Sequence, residues 1–148
     1  MELRTRSFKA LALLALLAFM SVIAWPAARG QGAQSDEAIQ SFWKKFKTAI
    51  VSGNGQVAAN LSSFPVEMSY GIGKIRTKPE FLRRYQQIFN EQTNAAACFA
   101  NKQPEIEAAE PTRASVACPN QAGDEVVIYH FRLTRTGWKF VALDNLNE

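Results

Sequence analysis

The 148-residue chain has one histidine and two cysteines, and each scarcity closes off chemistry. Cys98 and Cys118 have the wrong spacing for a zinc site or a CxxC redox pair, so no metal site is expected. No phosphate-binding glycine loop, dinucleotide fingerprint, nucleophile elbow or HExxH stretch is present, so no cofactor is expected. No serine or cysteine sits in a recognisable nucleophilic triad. Internal repeats and low-complexity stretches are absent as well.

Charge is missing from Ala10 to Ala28, a run of 19 residues that is mostly Ala, Leu, Phe, Val and Ile. Arg4, Arg6 and Lys9 precede it, Pro26 breaks it, and Ala28-Arg29-Gly30 offers small residues at the two positions a signal peptidase reads. This is the pattern of a secretory signal peptide over residues 1–30, cleaved after Gly30. The alternative is an uncleaved anchor in the inner membrane with the domain outside the cytoplasm, since the run approaches bilayer-spanning length. No cysteine follows the run, which argues against lipoprotein processing. Arg4 and Arg6 are not adjacent, which argues against the twin-arginine route. The expected location is the periplasm or the exterior.

Removing residues 1–30 changes the charge. The whole chain carries 17 Lys+Arg and 13 Asp+Glu, a formal net charge of +4. Arg4, Arg6, Lys9, Arg29 and Glu2 leave with the leader, and the remainder holds 13 basic and 12 acidic residues, +1. The basic excess belongs mostly to the leader and gives no warrant for a nucleic-acid partner. Contact with membrane is expected through the signal peptide alone. In an oxidising compartment Cys98 and Cys118 are expected to form a disulfide.

Residues 31–34 read as a linker and residues 35–148 as one domain. Ser35-Asp36-Glu37 is a helix start, and Ile39, Phe42, Trp43, Phe46, Ala49 and Ile50 follow as one apolar stripe that Gly53 ends. Asn54 to Leu61 reads as a second, short helix. Phe64 to Gly71 alternates as a strand, and Ile72 to Arg76 turns into a short one. Thr77-Lys78-Pro79-Glu80 is a capping box opening a third helix, with Phe81, Leu82, Tyr85, Ile88 and Phe89 inward. Glu105 to Glu110 and Thr112 to Cys118 read as a hairpin about Pro111. Glu125 to Arg135 and Trp138 to Leu146 are long strands joined at Thr136-Gly137. Helices first and a meander last imply an α+β domain: three N-terminal helices on a curved antiparallel sheet, a cone with an open end.

That order of elements resembles the nuclear transport factor 2 superfamily, with Phe42-Trp43-Lys44-Lys45-Phe46 early, Pro79-Glu80-Phe81 opening the third helix, and Gly137-Trp138-Lys139-Phe140-Val141 in the last strand. Phe64-Pro65, Cys98-Phe99 and the continuation Ala142-Leu143-Asp144-Asn145 are similar to small exported bacterial members without an assigned function. The resemblance covers about Ser35 to Asn147 and implies a cystatin-like roll. It implies little about activity, because this fold carries isomerases, dehydratases, hydrolases, adaptors and plain binders.

Two polar residues stand out. His130 alternates away from Val127, Tyr129, Phe131 and Leu133, as a general base, a ligand contact or a half-exposed strand residue. Asp144 shares a face, by strict alternation, with Trp138, Phe140 and Ala142. On an apolar concave face it would be desolvated and would serve as an acid or base; otherwise it caps the strand end. Tyr70, Tyr85 and Trp138 carry polar tips that need partners when buried, so with Asp144 they are the candidate ligand-binding residues. Three functions remain open. One is a non-catalytic pocket protein for a small apolar or amphipathic molecule or a partner protein. The second is a cofactor-independent isomerase, dehydratase or hydrolase using Asp144, a tyrosine and His130. The third is a homodimerising or partner-docking module with Val141 and Leu143 on its outer sheet face.

Overall fold

The computed structural model describes residues 30–69 and 73–145, with side chains from Asp36 onward. Residues 1–29, which carry nearly all of the signal-peptide pattern, and Tyr70 lie outside the described residues. Helix α1 spans Gly30–Val51. It starts five residues ahead of the capping signal at Ser35 and takes in the stretch expected as a linker. Once a helix is nucleated, each added residue gains a hydrogen bond, and nothing from Gln31 to Gln34 breaks it. The expected stripe of α1, from Ile39 to Ile50, is buried. Gly53 adopts φ 69° beyond its C-terminus, where the Asn54 N–H donates to the Ala49 carbonyl at 2.7 Å. A side chain there would be strained, which is why glycine stops the helix.

Helix α2 spans Gly55–Asn60, capped by the Asn54 side chain, which accepts from the Val57 N–H at 3.1 Å. Strands β1 (Ser62–Met68) and β2 (Lys74–Ile75) pair as a hairpin. Helix α3 covers Lys78–Arg83. The Thr77 side chain accepts from the Glu80 N–H at 3.3 Å, and Glu80 reaches back to accept from the Arg76 N–H at 2.9 Å. A π-helical turn at Gln87–Glu91 continues it and keeps Ile88 and Phe89 buried. Helix α4, Ala95–Asn101, is an element that the sequence pattern does not reveal. Its run of alanines shows no apolar stripe. Its start is fixed by the Asn94 side chain, which accepts from the Ala97 N–H at 3.0 Å.

Strands β3 (Glu105–Ile106), β4 (Arg113–Pro119), β5 (Val126–Thr134) and β6 (Gly137–Asn145) complete one six-stranded sheet, ordered β2-β1-β6-β5-β4-β3. Pairing is antiparallel except between β1 and β6, which run parallel. The helices lie on one face, and the chain is α+β as expected. Cys98 on α4 is bonded to Cys118 on β4, so the disulfide ties the last helix to the sheet.

The interior of the cone is filled by aromatic rings. Phe46 is fully buried, with ring centroids at 5.4 Å from Phe131, 5.6 Å from Phe140, 6.1 Å from Phe89 and 6.2 Å from Phe99. The Tyr129 hydroxyl shares a 2.8 Å hydrogen bond with Thr93 inside this cluster and donates to the Ile88 carbonyl at 3.3 Å. Trp43 donates through Nε1 to the Lys102 carbonyl at 3.2 Å. Edge-to-face packing of this kind adds to area burial in holding helices on the sheet.

Candidate functional site on the outer sheet face

Strand β5 alternates as expected. Val127, Tyr129 and Phe131 are buried against the helices, and His130 and Arg132 point to the opposite, outer face. On β6 the alternation breaks. Phe131 pairs with Phe140 and His130 pairs with Ala142, so Val141 is an extra residue, a β-bulge. Beyond it the faces exchange. Trp138 and Phe140 are buried before the bulge, and Leu143 and Asn145 are buried after it.

Two expectations are corrected by this one residue. Asp144 does not share the inner face with Trp138 and Phe140. It lies on the outer face, and its side chain is 45 % exposed rather than desolvated. Leu143 is 1 % exposed and is not part of the outer surface. Strict alternation assumes two residues per pleat, and a bulge adds one.

The bulge brings Asp144 beside His130, with Oδ2 at 4.0 Å from Nε2. The other carboxylate oxygen accepts from the Asn145 N–H at 2.9 Å, so Asp144 also caps its own strand end. Around the pair, Glu107, Arg113, Arg132, Val141 and Ala142 line a cleft of about 250 Å³. Arg113 faces Arg132 across the β4–β5 ladder, and its Nε donates to the Glu110 carboxylate at 2.9 Å. Arg132 shares the His130 face by the alternation of β5, whereas nothing local to Glu107 or Arg113 marks them as part of the site. The hairpin about Pro111 brings Glu107 beside Arg113, and the β4–β5 register, with Arg113 opposite Arg132 and Ser115 opposite His130, sets them on the His130 face.

His130 is 30 % exposed. Burial holds its imidazole below the usual histidine value, opposed by the Asp144 and Glu107 carboxylates and reinforced by the Arg113 guanidinium. At neutral pH the ring is therefore neutral, and its contact with Asp144 is polar rather than an ion pair. Asp144 and His130 come together, but Tyr85 and Trp138 do not join them. Tyr85 is 8 % exposed, its ring packs on Phe89, and its hydroxyl donates to the Ile50 carbonyl at 3.4 Å. Burial raises its phenol above the usual value.

Trp138 is 3 % exposed within the core. Its Nε1 is the one buried side-chain nitrogen or oxygen without a hydrogen-bond partner among the described residues. An unmet buried donor costs about 1–3 kcal/mol. Trp138→Phe removes that donor and the outer ring together. The two effects oppose, and the variant should unfold within about 1 kcal/mol of wild type in urea titration. A loss of several kcal/mol would mean that the nitrogen has a partner in solution.

Among the described residues no three His, Cys, Asp or Glu side chains are grouped to hold a metal ion. Ser69 lines the cleft too, yet makes no hydrogen bond to His130, which a nucleophilic relay requires. The groups available for recognition are two guanidiniums for an acceptor or anion, two carboxylates for a donor, one imidazole able to do either, and a small apolar floor.

No family model and no curated protein matches the sequence. The fold is similar to that of solved structures. An NTF2-like protein with a cystatin-like fold from Novosphingobium aromaticivorans is 18% identical, with a TM-score of 0.51 over 86% of this chain and 92% of that one. An uncharacterised cystatin-like protein from Caulobacter vibrioides is 14% identical, TM-score 0.46, over 76% and 88%. A hexachlorocyclohexane dehydrochlorinase from Novosphingobium barchaimii is 14% identical, TM-score 0.46, over 76% and 86%. These likenesses are of fold and not of chemistry.

Proposed function

We propose that this chain, which has the cystatin-like fold of nuclear transport factor 2-like proteins, is an exported, non-catalytic binding domain. Its site is the outer-face cleft around His130 and Asp144, and its ligand is a small amphipathic molecule, or a polar partner segment, bearing both an acceptor and a donor. The observation that carries this is the sole histidine, grouped with the Asp144 carboxylate and the Arg113 guanidinium over Val141 and Ala142. The aromatic filling of the cone favours the outer face over the interior. The Cys98–Cys118 bond favours export. No helix among the described residues is long and apolar enough to cross a membrane.

A second reading is a homodimer through the same face. Arg113 and Arg132 beside Glu107 and Asp144 make a self-complementary surface, as an isologous interface needs.

One experiment tests both, because His130 gives a single imidazole NMR signal. Its midpoint is expected below the usual 6.5, and Asp144→Asn should lower it further, since the carboxylate supports the imidazolium. A depressed folded-state value means that the unfolded chain binds the proton more readily. His130 therefore costs no stability above about pH 6.5 and costs progressively more as pH falls through its folded value. His130→Gln should lose less stability on acidification than wild type. Small carboxylates and zwitterions are then titrated against the signal. Shifts that Arg132→Gln abolishes support the cleft, and shifts with protein concentration alone support the dimer. A signal indifferent to both, with ligands perturbing Trp138 or Tyr85 instead, would return the site to the interior.

A further inference from the structure

Charge is divided unevenly along the folded chain. From Ala38 to Phe89 there are eight Lys+Arg and two acids; from Asn90 to Glu148 there are five and eight. No Asp or Glu occurs between Glu37 and Glu67, a stretch that holds most of α1, all of α2 and the start of β1. The two acids of the basic half are already matched: Glu67 with Lys74 at 2.9 Å, and Glu80 with Arg84 at 3.6 Å. Lys44 and Lys45 are exposed and make no ion pair among the described residues.

The same half holds three of the four large apolar side chains that are exposed among the described residues: Val51 at 51 %, Val57 at 37 % and Leu82 at 37 %. Helix α2 lies between the lysines of α1 and Leu82 of α3 and carries Val57 itself. Lys44, Lys45 and Val57 line the groove between α1 and α2. On its other side, α2 has Gly55 against α3, where an added Cβ would sit 3.5 Å from Leu82 Cδ2 and 3.1 Å from the Tyr85 ring. At the end of α2, Lys139 donates to the Asn60 carbonyl at 3.0 Å, and Lys78 bonds the Asn60 side chain.

We propose that this α1–α2–α3 face docks on an anionic phospholipid surface. Lysines around exposed aliphatic side chains, with hydroxyls and amides between them, are what a charged headgroup layer takes up: the ammonium groups meet phosphate, and the aliphatics enter the acyl boundary. Protein interfaces select the opposite composition, rich in aromatic residues and arginine and poor in lysine. No exposed aromatic side chain occurs on this face among the described residues. Export would put it beside a bilayer, and the outer-face cleft lies on the sheet, leaving both free to act together.

The test is co-sedimentation of the chain, as processed by an exporting host, with vesicles of phosphatidylcholine alone or with one third phosphatidylglycerol. Binding is expected only to the anionic vesicles and should weaken at least tenfold between 50 and 500 mM salt. Lys44→Gln with Lys45→Gln should lower partitioning roughly 30-fold, at ~1 kcal/mol per surface lysine. Lys102→Gln with Arg135→Gln, which removes equal charge from exposed positions outside both this face and the cleft, should change it less than threefold. Circular dichroism checks that each variant is folded, and the shared N-terminus cancels in every ratio. No binding to anionic vesicles at low salt overturns the proposal. So does equal loss in the two double variants, or capture of an acidic protein in place of lipid.

Discussion

Phe46→Ala should destabilise the domain by about 4 kcal/mol, within the 3–5 kcal/mol range for a buried Phe reduced to Ala. The ring is fully buried and lies at the meeting point of α1, the π-helical turn, α4 and strands β5 and β6. Its loss removes hydrophobic burial and leaves a cavity whose walls are themselves rings in fixed orientations. Those walls cannot collapse inward without breaking edge-to-face contacts with one another, so the cost lies toward the upper end. Domains of this size are stable by only 5–15 kcal/mol. Urea unfolding should show a midpoint far below wild type with an unchanged slope. A cost below 1.5 kcal/mol would mean that the interior is loosely packed. The case for a site on the outer face would weaken with it, because room would then exist within the cone.

Replacing both Cys98 and Cys118 by alanine should cost roughly 3 kcal/mol, as expected for a closed loop of about 20 residues. The melting midpoint should fall by on the order of 10 °C. The bond acts on α4, a short helix otherwise held by Phe99 in the ring cluster and by the Trp43 hydrogen bond to the Lys102 carbonyl at its end. Its seven residues bury Ala95 and Phe99, and an isolated helix of that length does not persist in water. Loss of the cross-link should therefore act locally before the whole domain unfolds. Amide exchange should quicken first from Ala95 to Asn101, and less in β5 and β6. Uniform acceleration across the sheet would show that the disulfide stabilises the domain as a unit. No change in midpoint would contradict its formation in the folded protein.

The α1 stripe, the Gly53 stop, the Thr77 capping box and the β5 alternation were all legible in the sequence. Each depends on local geometry: a 3.6-residue period, a positive φ, a hydroxyl three residues from an N–H, a period of two. Helix α4 was not legible, because alanines carry no apolar stripe and its one signal is the Asn94 cap. The parallel pairing of β1 with β6 was not legible either, since it joins segments more than 70 residues apart.

His130 was placed correctly, and Asp144 was placed on the wrong face for a single reason, the extra residue at Val141. A bulge puts two residues of one strand opposite one of its partner, as at Val141, and neither strand alone reveals it. By itself, then, the order of residues determined the α+β class, the apolar faces of α1 and β5, and two cysteines able to meet. The tertiary structure decided that the aromatic residues fill the cone, that Asp144 turns outward to His130, and that Glu107, Arg113 and Arg132 join them. Those outcomes depend on strand register and ring packing, which are set by contacts between residues distant in the chain.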